Sequence, residues 1–179
     1  MKTRIKLRLL TQYALFAAVL CVLSPLALPV GVVPVTLATF VLDLAILLLG
    51  VRSTIPIAVY LLMGAVGLPV FSGAQGGLAV LVGPTGGYLV GYLVCAFVGG
   101  LLVDRFPEKM WQKALALFVG TVCLYAFGMV WFLLLTTGSY RFAKAFYVCV
   151  LPFLPGDLFK LALACMFERA FRKKGSPNR

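Results

Sequence analysis

The chain has 179 residues, 63% of them hydrophobic and only 12% charged, with a mean hydropathy of +1.07. Water-soluble domains keep about a quarter of their residues charged, so this composition excludes an ordinary soluble globule and points to hydrocarbon as the solvent. The formal charge of +11 arises from 16 Lys and Arg against 5 Asp and Glu; those cations sit at the termini and in short connectors, where they orient a membrane protein rather than bind nucleic acid.

Other classes fall away with single observations. There is no histidine, which removes Ser-His-Asp and Cys-His nucleophile activation and the commonest metal ligand together. No G-x-x-x-x-G-K-[ST] run exists to cradle ATP phosphates, and no internal repeat of the secondary-transporter kind is visible. Cys21, Cys95, Cys123, Cys149 and Cys165 show no C-x-x-C spacing and read as small packing residues. The chain therefore reads as neither an enzyme nor a complete pump, and no cofactor or metal is expected.

In chain order, Lys2, Arg4, Lys6 and Arg8 precede an apolar run over 9–28. It has the outline of a signal peptide but no A-x-A cleavage site, and Leu20 ahead of Cys21 does not suit a lipoprotein signal, so a first membrane span is expected. Ala14 and Ala18 form a small-xxx-small patch on it, suited to packing within the chain or against a partner protein. The connector 29–34 is uncharged. Second and third spans follow at 35–50 and 54–66, short against the roughly 20 residues a lipid-exposed helix needs, so both should be buried among neighbours or extended by irregular ends. Asp43 lies in the second and should pair with a neighbouring span or with backbone.

The stretch 67–83 holds 17 residues without a charge, five of them glycine and one proline. Flexible linkers are normally polar, so this loop should fold back over something apolar as the lid or wall of a site. A fourth span over 85–103 carries Gly83, Gly87, Gly91, Cys95 and Gly99 at intervals of four, a smooth ridge for close helix approach in lipid. Arg105 and Lys109, with Lys113 counted beside them as an inner cation, lead into a fifth span, 112–136, then come Arg141 and Lys144, and a sixth span, 155–171, running into a basic tail. Tyr140 and Tyr147 fit an interfacial belt. With the amino terminus inside, Arg141 and Lys144 are the outer cations and the remaining loop and terminal cations are inner, so the positive-inside rule places both termini in the cytoplasm. The expected fold is an all-α integral membrane protein: one domain, 1–179, with a basic start at 1–8, a six-helix bundle over 9–171 and a basic tail over 172–179.

Ionisable groups within a bilayer need a partner or a wet cavity. Asp157 follows Pro155 and Gly156, and so falls in the first turn of the sixth helix, where the dipole favours a carboxylate. Lys160 stands three residues on, on the same face. The pair lies at the outer end, beneath the uncharged loops. Two readings stand: a structural ion pair, or a donor and an acceptor for a polar ligand. Phe71, Tyr88 and Phe153 either enclose an apolar ring or sit in the interfacial belt.

The runs Gly67-Leu68-Pro69-Val70-Phe71, Gly76-Gly77 and Gly83-Pro84-Thr85-Gly86-Gly87-Tyr88-Leu89, with Pro34-Val35-Thr36-Leu37 before them and Pro155-Gly156-Asp157 and Lys160 after, resemble the BioY family. Its members are the biotin-specific S components of energy-coupling factor (ECF) transporters. The resemblance covers most of the chain. It implies a six-helix bundle in a prokaryotic cytoplasmic membrane that captures biotin outside. A transmembrane coupling protein and two ABC-type ATPases complete the importer, and ATP is used by those partners. It also implies ligand contacts at Thr36, at Phe71 and Ser72 in the loop after the third span, at Tyr88, and at Asp157 and Lys160. Ala14 and Ala18 match the Ala-xxx-Ala motif that meets the coupling protein. Where the family often reads Thr-Leu-Gln-Thr this chain has Thr36-Leu37-Ala38-Thr39, which removes an amide from the region. An S component for another vitamin of the thiamine or riboflavin type is the alternative, and a membrane-embedded enzyme using Asp157 as a base is a weaker one.

Overall fold

Each apolar run becomes a helix, and the Pro, Gly and charged punctuation becomes the turns between them. The computed structural model describes residues 2–28, 35–106, 109–136, 146–147, 150–151 and 153–174. Helix α1 spans Lys2–Leu23, α2 Ala38–Leu49, α3 Thr54–Ala65, α5 Gly86–Arg105, α6 Met110–Leu135 and α7 Leu154–Lys174, with a short α4 at Leu78–Val82. Among the described residues the regular structure is helical apart from one two-residue ladder, in which β1 (Ala27–Leu28) pairs antiparallel with β2 (Val35–Thr36), and an isolated bridge between Phe71 and Gln75 in the loop after α3.

Three runs among the described residues are long and apolar enough to cross a bilayer: Ala38–Ala65, Gly86–Arg105 and Met110–Leu135. The first of these is two helices, not one. A 3-10 turn at Gly50–Ser53 separates α2 from α3, and Gly50 takes φ +59, a left-handed conformation that L side chains rarely adopt. Asp104, at the end of α5, accepts the Val51 N–H at 3.0 Å, pinning this turn to the face where α5 ends. α2 therefore starts beside α7 and ends beside the end of α5, and α3 returns to the face where α1 ends.

Helix α1 stops at Leu23, five residues short of the expected limit, and the rest of that run turns through Ser24 and Pro25 into β1. Pro25 has no N–H to continue a helix, while Ser24 Oγ and Tyr60 Oη share a buried hydrogen bond of 2.6 Å. One face of the bundle carries this hairpin and the loop between α3 and α5, and we call it the loop face. The other carries Arg52, Arg105 and Lys109. Arg141 and Lys144 lie outside the described residues, as do residues 29–34 and Tyr140.

The most extensive helix pairing among the described residues is α5 on α6, built as the glycine ridge predicts. A Cβ on Gly91 would lie 3.2 Å from the Leu124 carbonyl oxygen, and one on Gly120 would lie 3.1 Å from that of Cys95. Gly87 faces Trp131, whereas Gly83 belongs to the turn before the helix, where its carbonyl accepts the Trp131 indole N–H at 3.1 Å. In lipid such close backbone approach supplies the dispersion contacts that the hydrophobic effect cannot. Helix α7 is held differently: it packs along α2 and touches α6 only sparsely.

Candidate functional site

Pro155 falls in the first turn of α7 and brings Asp157 to the helix start at the loop face, where the Asp157 N–H donates to Phe153 O at 2.8 Å. Lys160 is one turn deeper, and its ammonium reaches Asp157 Oδ1 at 2.9 Å. Both residues are only 9% exposed. Lys160 Nζ also donates to the Thr36 carbonyl at 2.7 Å and to Thr39 Oγ1 at 3.0 Å, so all three ammonium donors are used. Thr39 Oγ1 in turn donates to Asp157 Oδ1 at 2.9 Å, and the Tyr125 hydroxyl donates to Asp157 Oδ2. Burying charges in hydrocarbon costs several kcal/mol unless each is paired and hydrogen-bonded, and this network meets that condition with groups from β2, α2, α6 and α7.

Of the residues expected from sequence, Asp157, Lys160 and Thr36 come together here. Thr36 contributes its main-chain carbonyl, while its Oγ1 accepts the Ala38 N–H at 3.3 Å. Ala38 itself is fully buried at the start of α2. Phe71 and Ser72 lie on the other flank. The loop bearing them is tied down by Phe71 N–H to Gln75 O at 2.9 Å, Gly77 N–H to Gly64 O at 2.7 Å and Gly73 N–H to Pro25 O at 3.2 Å. The Phe71 ring is 1% exposed and stands edge-on to Tyr60 with centroids 5.6 Å apart, against Gly64. It anchors the loop in the core. Ser72 Oγ is buried with no hydrogen-bond partner among the described residues. Tyr88 is buried with its ring against Gly128 of α6. Ala14 and Ala18 are both exposed on α1.

A cavity of about 280 Å³ opens between α6 and α7, lined among others by Thr121, Tyr125, Met129, Val150, Asp157 and Leu161. That is just below the roughly 300–1,000 Å³ typical of small-molecule sites. Among the expected site residues only Asp157 lines it. Its wall is otherwise apolar save for Thr121 and the phenol of Tyr125.

Sequence reasoning missed Thr39 and Tyr125. A tyrosine in the middle of a span, far from either interface, needs a hydrogen-bond partner and was the available signal. It also counted Lys113 only as an inner-side cation at the start of the fifth span. Lys113 is instead buried and pairs with Glu168 at 2.8 Å, joining α6 to α7 near the face opposite the loops. Both fall inside the limits of the expected spans. Asp43 is buried one turn beyond Thr39 on α2 with Asp157 and Lys160 as its charged neighbours, and it makes no ion pair among the described residues.

A helical membrane bundle with a fully satisfied buried ion pair beside a small-molecule-sized cavity is the architecture of a ligand-binding membrane component. The sequence profile of the BioY family matches residues 1–176. The chain is 38% identical over 168 residues to a biotin transporter BioY of Thermotoga maritima, covering 93% of this chain and 97% of that one. It is 39% identical over 170 residues to a biotin transporter BioY of Rhizobium etli, covering 88% and 89%. The crystal structure of the S-component for biotin from an ECF-type ABC transporter superposes with a TM-score of 0.87 at 26% identity, covering 97% of this chain and 95% of that one. The chain belongs to the BioY family.

Proposed function

We propose that this chain is the substrate-binding S component of a biotin importer, capturing biotin at the extracellular face of a prokaryotic cytoplasmic membrane. The observation that carries the reading is the position of Asp157, which joins the satisfied Lys160–Thr39–Tyr125 network and at the same time lines the cavity between α6 and α7. Biotin offers two ureido N–H donors, a carbonyl, a thioether ring and a carboxylate tail. The Asp157 carboxylate can accept from the former through its remaining lone pairs and the apolar wall suits the ring, while Lys160, its three donors engaged, holds that carboxylate in place. Ser72 Oγ, buried and unpartnered among the described residues, is a further candidate polar contact from the loop, with Thr36, Phe71 and Tyr88 as candidates beside it; none of the four lines the cavity between α6 and α7.

With the basic face inside, both termini are cytoplasmic and the site opens outward. The whole chain, 1–179, then forms one membrane domain. Its partners are a transmembrane coupling protein, meeting the exposed Ala14–Ala18 patch, and two ABC-type ATPases that use ATP. The relatives are transporters, and no enzymatic activity or cofactor is proposed.

The test is a melting series in detergent with biotin, thiamine and riboflavin, since a ligand that binds only the native state raises the melting point. Biotin alone should do so. A shift with thiamine or riboflavin instead would reassign the ligand, and no shift with any of them would leave the capture reading without support.

A further inference from the structure

The two helices that border the cavity are joined by two polar rungs. One is the Tyr125 hydroxyl on Asp157, beside the cavity; the other is Lys113 on Glu168 at 2.8 Å, near the opposite face. From the spacing of residues 113 to 125 and 157 to 168, at ~1.5 Å rise per residue, the rungs stand about 17 Å apart along the helices. Between them α6 and α7 meet sparsely and through apolar side chains.

A buried ion pair is a poor device for stability alone, because apolar replacement of both partners is often neutral or stabilising. This one is poorer still. Glu168 Oε2 is buried with no hydrogen-bond partner among the described residues, so one lone-pair site is desolvated without return. What an ammonium and a carboxylate supply that leucines do not is register: apolar faces slide past one another, whereas this pair meets at one offset. The need for such a pin is local, since α7 lacks the glycine-to-backbone contacts that lock α5 on α6.

We infer that Lys113 and Glu168 are positioning residues that hold α6 and α7 in the one register at which Tyr125 meets Asp157 beside the cavity. The inference rests on the proposed function for its effect on ligand, but its structural half stands apart from it. Loss of the pin lets α7 shift along α6, which parts the Tyr125–Asp157 rung and widens the cavity.

The experiment uses the full chain with its native cysteines replaced by alanine and nitroxide labels at Leu134 on α6 and Phe159 on α7, both 70% exposed. Distances are read by double electron–electron resonance without ligand, and biotin release is followed in parallel on the unlabelled protein. K113M/E168L, which keeps side-chain volume and removes both charges, should stay folded. It should show a broadened or displaced distance distribution and release biotin at least tenfold faster. The exchanged pair K113E/E168K should restore a single narrow distribution and slow release. A folded K113M/E168L protein with the unaltered distance distribution overturns the inference, whatever its release rate. An unmodified chain that binds no biotin overturns the functional reading instead, and the distance measurement still decides the pin.

Discussion

Two buried ion pairs of nearly equal length, 2.9 Å for Asp157–Lys160 and 2.8 Å for Glu168–Lys113, sit at opposite ends of the same helix. The first is closed within one helical turn and saturated: the ammonium uses three donors and each carboxylate oxygen accepts at least one hydrogen bond. The second bridges two helices and leaves a carboxylate oxygen bare among the described residues. Burial and charge are alike, so the difference lies in what surrounds them. A pair that spends groups from four elements on its own satisfaction is organised around its own geometry, as a binding site requires. A pair that leaves an acceptor unpaired organises the helices that carry it.

Breaking the saturated pair should have the largest effect. Asp157→Ala leaves the Lys160 ammonium buried with only the Thr36 carbonyl and Thr39 Oγ1, and removing one member of a buried pair costs about 3–5 kcal/mol. The expected result is a large loss of melting temperature in detergent and biotin affinity lower by at least tenfold, read by calorimetry. Lys160→Ala should weaken binding by about 1–3 kcal/mol through the unpaired carboxylate. Unchanged affinity in both variants would remove the pair from the ligand site and make it equivalent to Lys113–Glu168.

A smaller effect tests whether the saturated pair works alone or needs the loop across from it. A Cβ on Gly64 would overlap the Phe71 ring, which is wedged against Tyr60 and has no free space into which to turn. Gly64→Ala should therefore displace the loop that carries Ser72, at a cost of about 1–3 kcal/mol for overpacking. The Asp157–Lys160 network draws on none of these residues and should persist. Stability should fall and biotin affinity with it. Lower stability with full affinity would show that the loop is a plug and contributes no contact.

How much of this was legible in the sequence follows from what each feature depends on. The six helices and the α5 ridge were legible because hydropathy and four-residue spacing are local patterns. The Asp157–Lys160 pair was legible because Pro155 marks a helix start and a three-residue spacing defines one face. Thr39 and Tyr125 depend on which helices α7 lies against, and nothing local in α2 or α6 states that. Lys113 and Glu168 were hidden for a related reason: near a span end a basic residue matches the positive-inside pattern, and only the partner on another helix turns it into a buried one. The early end of α1 at Leu23 reflects the hairpin between Ala27–Leu28 and Val35–Thr36, a pairing between separated segments that no window of apolar residues contains.

A finer comparison is between two orphaned oxygens, one on the loop after α3 and one within the second pair. Among the described residues Ser72 Oγ is buried without a partner on the loop after α3, as Glu168 Oε2 is in the Lys113–Glu168 pair. A hydroxyl left unsatisfied destabilises the free protein, and supplying a partner returns that energy when ligand arrives. Ser72→Ala should accordingly leave the ligand-free melting temperature unchanged or slightly raised, while weakening biotin binding by about 0.5–1.5 kcal/mol, the net worth of one neutral hydrogen bond. Calorimetry on the variant and its parent resolves a change of that size. If affinity holds and stability rises, Ser72 is an orphan of packing like Glu168 Oε2, and ligand recognition falls wholly to the α7 side of the bundle.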